Sequence, residues 1–432
     1  MKSILYALAL LPGPLAAQHV VRTYYDSTDV LKEEYTVRTP GDTVPEGYFR
    51  RYYRNGELSL SGFFRDGQRD STFKEYYPDG TPRVEMFFRR GKREGAARVY
   101  NAAGTLVQHA RYAGDELSDT VYTYYDDGTP RRVGRFVGGA PDGLVRDYYP
   151  SGHPKREITY AGGKPNGVTK TYYPEGGLET EANYVDGNVA GFSRVYYPNG
   201  RMEQEQTLID GARQGVYRRW SATGQLLLEG HYKDGALEGV NRAWWEGGVP
   251  RHEIRYDGGQ IVGTAVYYHP NGQIKEKVRH RDGERRVEAY DTTGRLAEER
   301  RFEDEKRAGT WVYYHPNGQV QRRVPYVAGR VTGVVETFRE DGTPQRAQAM
   351  KNDVQSGVTR TYHPNGELAS EGTWRADAPV DEHVRYHPNG AVAERGRFRG
   401  GKRSGEWQVF DEAGELVRRE QYRNGELVEE PE

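Results

Sequence analysis

One glycine recurs with a period of 24 residues, and this constrains the chain more than any other feature. It stands at Gly56, Gly80, Gly104, Gly128, Gly152, Gly176, Gly200, Gly224, Gly248 and Gly272. It continues at Gly294, Gly318, Gly342, Gly366, Gly390 and Gly414. Every step is 24 residues except the one from Gly272 to Gly294, which is 22. Self-similarity at such a period marks a repeat architecture, in which each unit contacts its neighbours and a large globular core is absent. An aromatic residue precedes this anchor glycine by four positions in all sixteen units. Tyr148, Tyr172, Tyr196, Trp220, Trp244 and Tyr268 hold that place in the middle of the chain and are the candidate binding-surface aromatics. A second aromatic follows the anchor by eight positions in thirteen units, as Phe64, Phe88 and Tyr112 do.

Each unit carries two turn signals. Asn-Gly or Asp-Gly at the anchor, as in Asn55-Gly56, is expected to supply the positive φ angles of a tight hairpin turn. Asp-Gly recurs about half a unit later, as in Asp66-Gly67. Two strands of roughly seven or eight residues remain, an ordinary strand length. If the residue three before the anchor pairs with that two after it, the position six before faces the position five after. Seven units then set opposite charges across the hairpin: Lys74 and Glu85, Arg146 and Glu157, Lys170 and Glu181, Arg194 and Glu205, Arg218 and Glu229, Arg242 and Glu253, Arg360 and Glu371. Each such pair is worth about 0.2–1 kcal/mol. The short unit departs from the pattern, with Glu288 facing Glu299.

This register assigns the faces. One carries the aromatic row with Arg and Glu. The other carries the apolar residue two after the anchor, small residues six after it (Gly62, Ala110, Gly134) and the second aromatic. Small residues there let rings approach, so this is the expected inner face. The two-residue deletion is even and therefore preserves the alternation of faces.

The fold class expected is all-β. It is an elongated, solenoid-like array of about seventeen antiparallel hairpins in a twisted or curled single sheet, counting an atypical first unit around Tyr24-Tyr25. Residues 18–55 form that N-terminal capping repeat and the first strand of the regular array. Residues 56–425 are the array, and 426–432 an acidic tail. Residues 1–17 read as a cleaved signal peptide. Lys2 supplies the charge, Ile4 to Leu11 a short apolar run, and Leu15-Ala16-Ala17 the small residues before cleavage. The run is too short to span a bilayer, so no integral membrane segment is expected, and the mature chain is placed in the periplasm or at the cell surface.

Composition narrows the chemistry. Aromatics at 12% do not fit a disordered chain, and 35% hydrophobic residues do not fit a large core. A net charge of -1 provides no field for nucleic acid. The absence of cysteine removes disulfides, thiolate metal sites and cysteine nucleophiles. His-Pro-Asn-Gly occurs at His269, His315, His363 and His387. Equivalent residues of adjacent hairpins lie roughly 9–10 Å apart, whereas zinc needs nitrogens about 2.0–2.1 Å from one ion. These histidines are read as replacing Tyr beside a turn. No Ser, His and Asp set breaks the repeat as a catalytic pocket would, so no catalytic residue, cofactor or metal is expected.

The unit Val195-Tyr196-Tyr197-Pro198-Asn199-Gly200 through Asp210-Gly211 to Gly215 resembles the MORN-variant repeat. It looks like the bacterial form found in the antitoxin component of YwqK-type toxin–antitoxin systems. The resemblance covers about residues 20–425 and implies successive hairpins in a twisted sheet, with protein-binding or lipid-binding roles and no catalytic residues. The function expected is an exported, non-catalytic scaffold that binds a protein partner along an aromatic and charged β-surface. Neutralisation of a toxin is the first alternative, and binding of polysaccharide or peptidoglycan in the envelope the second.

Overall fold

The computed structural model describes residues 18–429, so the proposed signal peptide lies outside the described residues. All regular structure among them is β: forty strands, every pairing antiparallel, and no helix. The chain divides into two compact units, Met1–Ala212 and Arg213–Glu432. Each is a run of hairpins in which successive long strands pair antiparallel, short segments such as Lys164–Pro165 lying between some of them. In the first unit, His19–Tyr24 pairs with Leu31–Val37, and that strand with Gly47–Tyr52, forming the atypical leading repeat. In the second unit, part of the segment read as an acidic tail is a strand: Glu426–Glu429 pairs with Leu416–Arg423.

The two turns of a repeat differ. At the second, Asp66 (φ 51) and Gly67 (φ 71) are both left-handed between the paired Arg65 and Gln68, a two-residue type I′ hairpin. At the anchor, only the glycine is left-handed: Gly152 has φ 85. Its N–H donates to the Tyr149 carbonyl at 2.9 Å, and the Tyr149 N–H donates to the His153 carbonyl at 2.8 Å. This is a longer turn closed by a glycine bulge, which corrects the tight-turn expectation for Asn-Gly. The asparagine works through its side chain. Asn365 Oδ1 accepts the Glu367 N–H at 3.1 Å, and its Nδ2 donates to the Pro388 carbonyl of the next repeat at 2.7 Å.

The bulge also changes the register. The position four before the anchor, not three, pairs with that two after it: Tyr148 with Pro154, Tyr172 with Leu178, Tyr196 with Met202. The pairs six before and five after stand as expected in all seven units. The apolar residue two after the anchor therefore joins the aromatic row, which corrects its assignment to the inner face.

In each unit the core is a row of side chains running across the strands. It alternates between the residue seven before the anchor and the residue six after it. Met86 pairs with Ala97, Ala97 with Ala110, Val145 with Ile158, and in the second unit Ala265 with Val278 and Val278 with Val287. The second aromatic packs alongside. Rings run Phe49–Phe64–Phe73–Phe88 with centroids 5.3–5.4 Å apart, and Phe302–Trp311–Tyr326 at 5.1 and 4.8 Å. Small residues six after the anchor admit these rings, as expected. A Cβ on Gly62 would lie 2.5 Å from the Phe73 ring, and Gly396 is covered in the same way by the Trp407 indole.

Between repeats a second bulge intervenes. Gly134 pairs with Val145 and Phe136 with Pro141, so two steps on one strand meet four on the other, with Gly143 left-handed at φ 77. The 22-residue unit lacks this bulge. There Val278, Arg279, His280 and Arg281 pair without interruption with Val287, Arg286, Arg285 and Glu284. The two missing residues are those the bulge would hold, so the deletion removes a kink and leaves both faces in phase.

Repeats are stitched by the residue three before the anchor. The hydroxyls of Tyr125, Tyr149 and Tyr173 donate to the carbonyls of Tyr148, Tyr172 and Tyr196 one repeat later, at 2.8, 2.9 and 2.6 Å. The four histidines do the same. Nε2 of His269, His315, His363 and His387 lies 2.8–3.0 Å from the carbonyls of Tyr290, Phe338, Tyr386 and Phe410. A carbonyl only accepts, so Nε2 carries the proton and donates. The histidines stand where Tyr does the same work, which agrees with the reading of a Tyr replacement. Tyr173→Phe is expected to cost about 1 kcal/mol, measured by denaturant unfolding. Tyr184→Phe, which touches no such stitch, serves as the comparison.

Candidate interaction surface

Strand alternation places the positions four, six and eight before the anchor on one face, opposite the core row. Call this the ladder face. The charges predicted within hairpins also pair between hairpins. In the first unit Arg146, Glu157, Lys170, Glu181, Arg194 and Glu205 form a continuous cross-strand series with alternating sign. In the second unit Arg218, Glu229, Arg242 and Glu253 do so. Ion pairs close at 2.8 Å for Arg146–Glu157, 3.1 Å for Arg194–Glu181, 2.8 Å for Arg218–Glu229 and 2.9 Å for Arg242–Glu253.

All six candidate aromatics lie beside these ladders and are half-buried. Tyr148, Tyr172 and Tyr196 stand on successive repeats of the first unit, and Trp220, Trp244 and Tyr268 on successive repeats of the second. Tyr172 OH donates to Glu157 at 3.0 Å and Tyr196 OH to Glu181 at 2.7 Å. Burial, then the glutamate bond, pushes both phenols up to about 12. Burial alone would raise the Glu157 and Glu181 carboxyls. The bonds from Arg146 and Tyr172, and from Tyr196 and Arg194, overcome it and hold both below the usual range. At neutral pH these tyrosines are protonated donors and these glutamates are ionised acceptors. The surface is thus an ordered array of half-buried rings and paired charges.

The opposite face carries a groove that sequence reasoning missed. A cavity of about 610 Å³ in the first unit is lined by Tyr125, Arg131, Arg132, Asp147, Lys155 and Arg156 among others. Asp147 sits between two arginines, accepting from Arg132 Nε at 2.5 Å and from Arg156 Nη2 at 2.7 Å. Arg131 and Lys155 lie over the Tyr125 and Tyr149 rings at 5.9 and 5.5 Å. The signal was present in the sequence: Arg132 and Arg156 lie four after successive anchors and Asp147 five before one. Only pairing between repeats brings the three together.

In the second unit, His252 pairs with Tyr267 on the core side. Burial, and secondarily Arg251, hold its imidazole below the ordinary 6.5. The folded state therefore favours neutral His252. Its contribution to stability is full above the unfolded pKa and is lost as pH falls below about 6.5. The melting midpoint is expected to fall on acidification through that window, above the range in which carboxylates titrate. His252→Phe is expected to flatten the dependence.

Eight segments match the MORN repeat variant: residues 69–90, 141–161, 165–186, 213–234, 261–282, 307–328, 355–376 and 403–424. Each match runs from one strand through an anchor glycine into the next strand, so these eight hairpins match the MORN repeat variant. Among curated proteins none matches the chain. Solved structures with some likeness include the TcdB2-TccC3-Cdc42 complex, at 14% identity and TM-score 0.16, over 95% of this chain and 26% of that one. The Tc holotoxin pore of Photorhabdus luminescens is another, at 11% identity and TM-score 0.15, over 94% of this chain and 30% of that one. The chain thus spans under a third of either, and superposition this poor carries no functional meaning.

Proposed function

We propose that this chain is an exported, non-catalytic scaffold that binds a protein partner along its ladder face. The observation that supports it is pre-ordering. Half-buried rings and ladder charges are held by hydrogen bonds and ion pairs before any partner arrives, which lowers the entropy cost of docking. Tyr, Trp and Arg are also the residues that dominate protein interfaces. The phenols and carboxylates of this face are shifted away from neutrality rather than toward it, unlike groups tuned for proton transfer.

The test is affinity capture from the native cell envelope with the full chain and with Trp244→Ala/Tyr268→Ala, identified by mass spectrometry. A protein retained by the parent and depleted about tenfold or more on the variant, with unchanged circular dichroism, is the expected result. Equal retention on both, or retention of polysaccharide or peptidoglycan alone, overturns it. If the captured protein is a toxin inhibited in a one-to-one complex, the scaffold is an immunity protein. A reporter fused after residue 17 and active only outside the cytoplasm checks export.

A further inference from the structure

The ladder of the first unit reads plus, minus, plus, minus, plus, minus from Arg146 to Glu205. An even, alternating series has a special property: reversed, it becomes its own complement. A two-fold axis parallel to the strands, passing between the Lys170 and Glu181 strands, reverses strand order but preserves position along each strand. Two copies facing each other across that axis set Arg146 against Glu205, Glu157 against Arg194 and Lys170 against Glu181.

The neighbouring rows obey the same operation. Along the aromatic row the six strands present Tyr148, Pro154, Tyr172, Leu178, Tyr196 and Met202 in order. Reversal sets Tyr148 on Met202, Tyr172 on Leu178 and Tyr196 on Pro154, each ring against an apolar side chain. On the other flank, Leu144 and Val168 are 41% and 36% exposed. They would meet Thr207 and Asn183, a match without a charge to bury. The aromatic row alternates strand by strand in the same way, so one rotation serves both rows at once.

We infer that two copies of this chain associate through residues 144–207 of their ladder faces, as an isologous dimer with its axis along the strands. The inference rests on reading the ladder face as a protein-binding surface, and it names one partner of that surface. Six strands at about 4.8 Å and some six residues at about 3.4 Å span on the order of 600 Å² per copy. That is roughly 1,200 Å² in total, above the threshold of a specific contact and at the low end of stable ones. Such packing is aligned, as in sandwiches, and the charged row makes it sensitive to salt.

The test uses the full chain in sedimentation velocity, in buffers of about 0.05 M and about 0.5 M salt. A dimer at low salt that weakens at high salt is expected. Glu157→Arg sets two like-charge contacts across the axis and is expected to weaken association roughly a hundredfold or more. Arg194→Glu does the same. An equimolar mixture of the two variants restores both contacts in a heterodimer, and its dimer constant is expected to return to within about tenfold of the parent. Rescue by mixing cannot come from a misfolded variant. A monomeric parent at low salt, or two variants that stay monomeric when mixed, overturns the inference. Either result leaves standing any envelope partner captured through Trp244 and Tyr268 in the second unit, so the two readings fail separately.

Discussion

Trp407→Ala is expected to lower the unfolding free energy by about 3–5 kcal/mol. The indole is 2% exposed. It lies over Gly396, against Phe398 at 5.1 Å and Tyr422 at 6.3 Å, with the Arg403 guanidinium 4.0 Å from its centroid. Its removal empties the space above a glycine. Each repeat touches only its neighbours, so the loss should concentrate locally. Amide exchange is expected to accelerate in Val392–Arg399, Lys402–Phe410 and Leu416–Arg423, with little change near residue 300. Trp407→Phe should cost far less. It keeps a ring over Gly396 and deletes an indole N–H that has no hydrogen-bond partner. Equal losses in the two variants, measured by urea unfolding, would falsify the assignment of this ring as a keystone of the core row.

Gly62→Val is expected to destabilise by about 1–3 kcal/mol or more, because it overfills a site rather than emptying one. Gly62 pairs with Phe49 in its own hairpin and is covered by Phe73 from the next strand. Three ring atoms of Phe73 would lie within 2.6 Å of the first added carbon, and Phe73 is itself 2% exposed, with Phe64 and Phe88 rings 5.3 and 5.4 Å away. The ring has no free direction in which to move. Phe73→Ala alone is expected to cost about 3–5 kcal/mol. Combined, the two changes exchange a small–large pair for a medium–small one, so the double variant should be more stable than the sum of the singles predicts, by at least about 1 kcal/mol. Strict additivity in a double-mutant cycle would show that the two sites do not share volume.

The core row was hard to see in the sequence for the same reason. The residue seven before the anchor is Phe73, Ala97, Val145, Asn241, Trp311 or Trp407, with no shared chemistry. The large rings are instead matched to a small partner on the neighbouring strand: Gly62 with Phe73, Gly396 with Trp407. A small-to-large match between adjacent repeats does not show when each position is read singly. The groove around Asp147 escaped notice likewise, since Arg132 and Arg156 lie 15 and nine residues from it and meet only through pairing on both sides.

What the amino-acid order determined alone is the hairpin. The 24-residue period, the two glycine turns and the seven opposite-charge pairs are local, set within a dozen residues, and strand alternation follows from them. The tertiary structure decided how one hairpin meets the next. That junction depends on bulges, which change the count of residues per strand without changing the period. The bulge at the anchor turn, within the hairpin, had moved the apolar residue after the anchor to the aromatic face; between hairpins, the fold gave the anchor asparagine its side-chain bond to the following repeat. The same contacts between repeats turned isolated charge pairs into ladders.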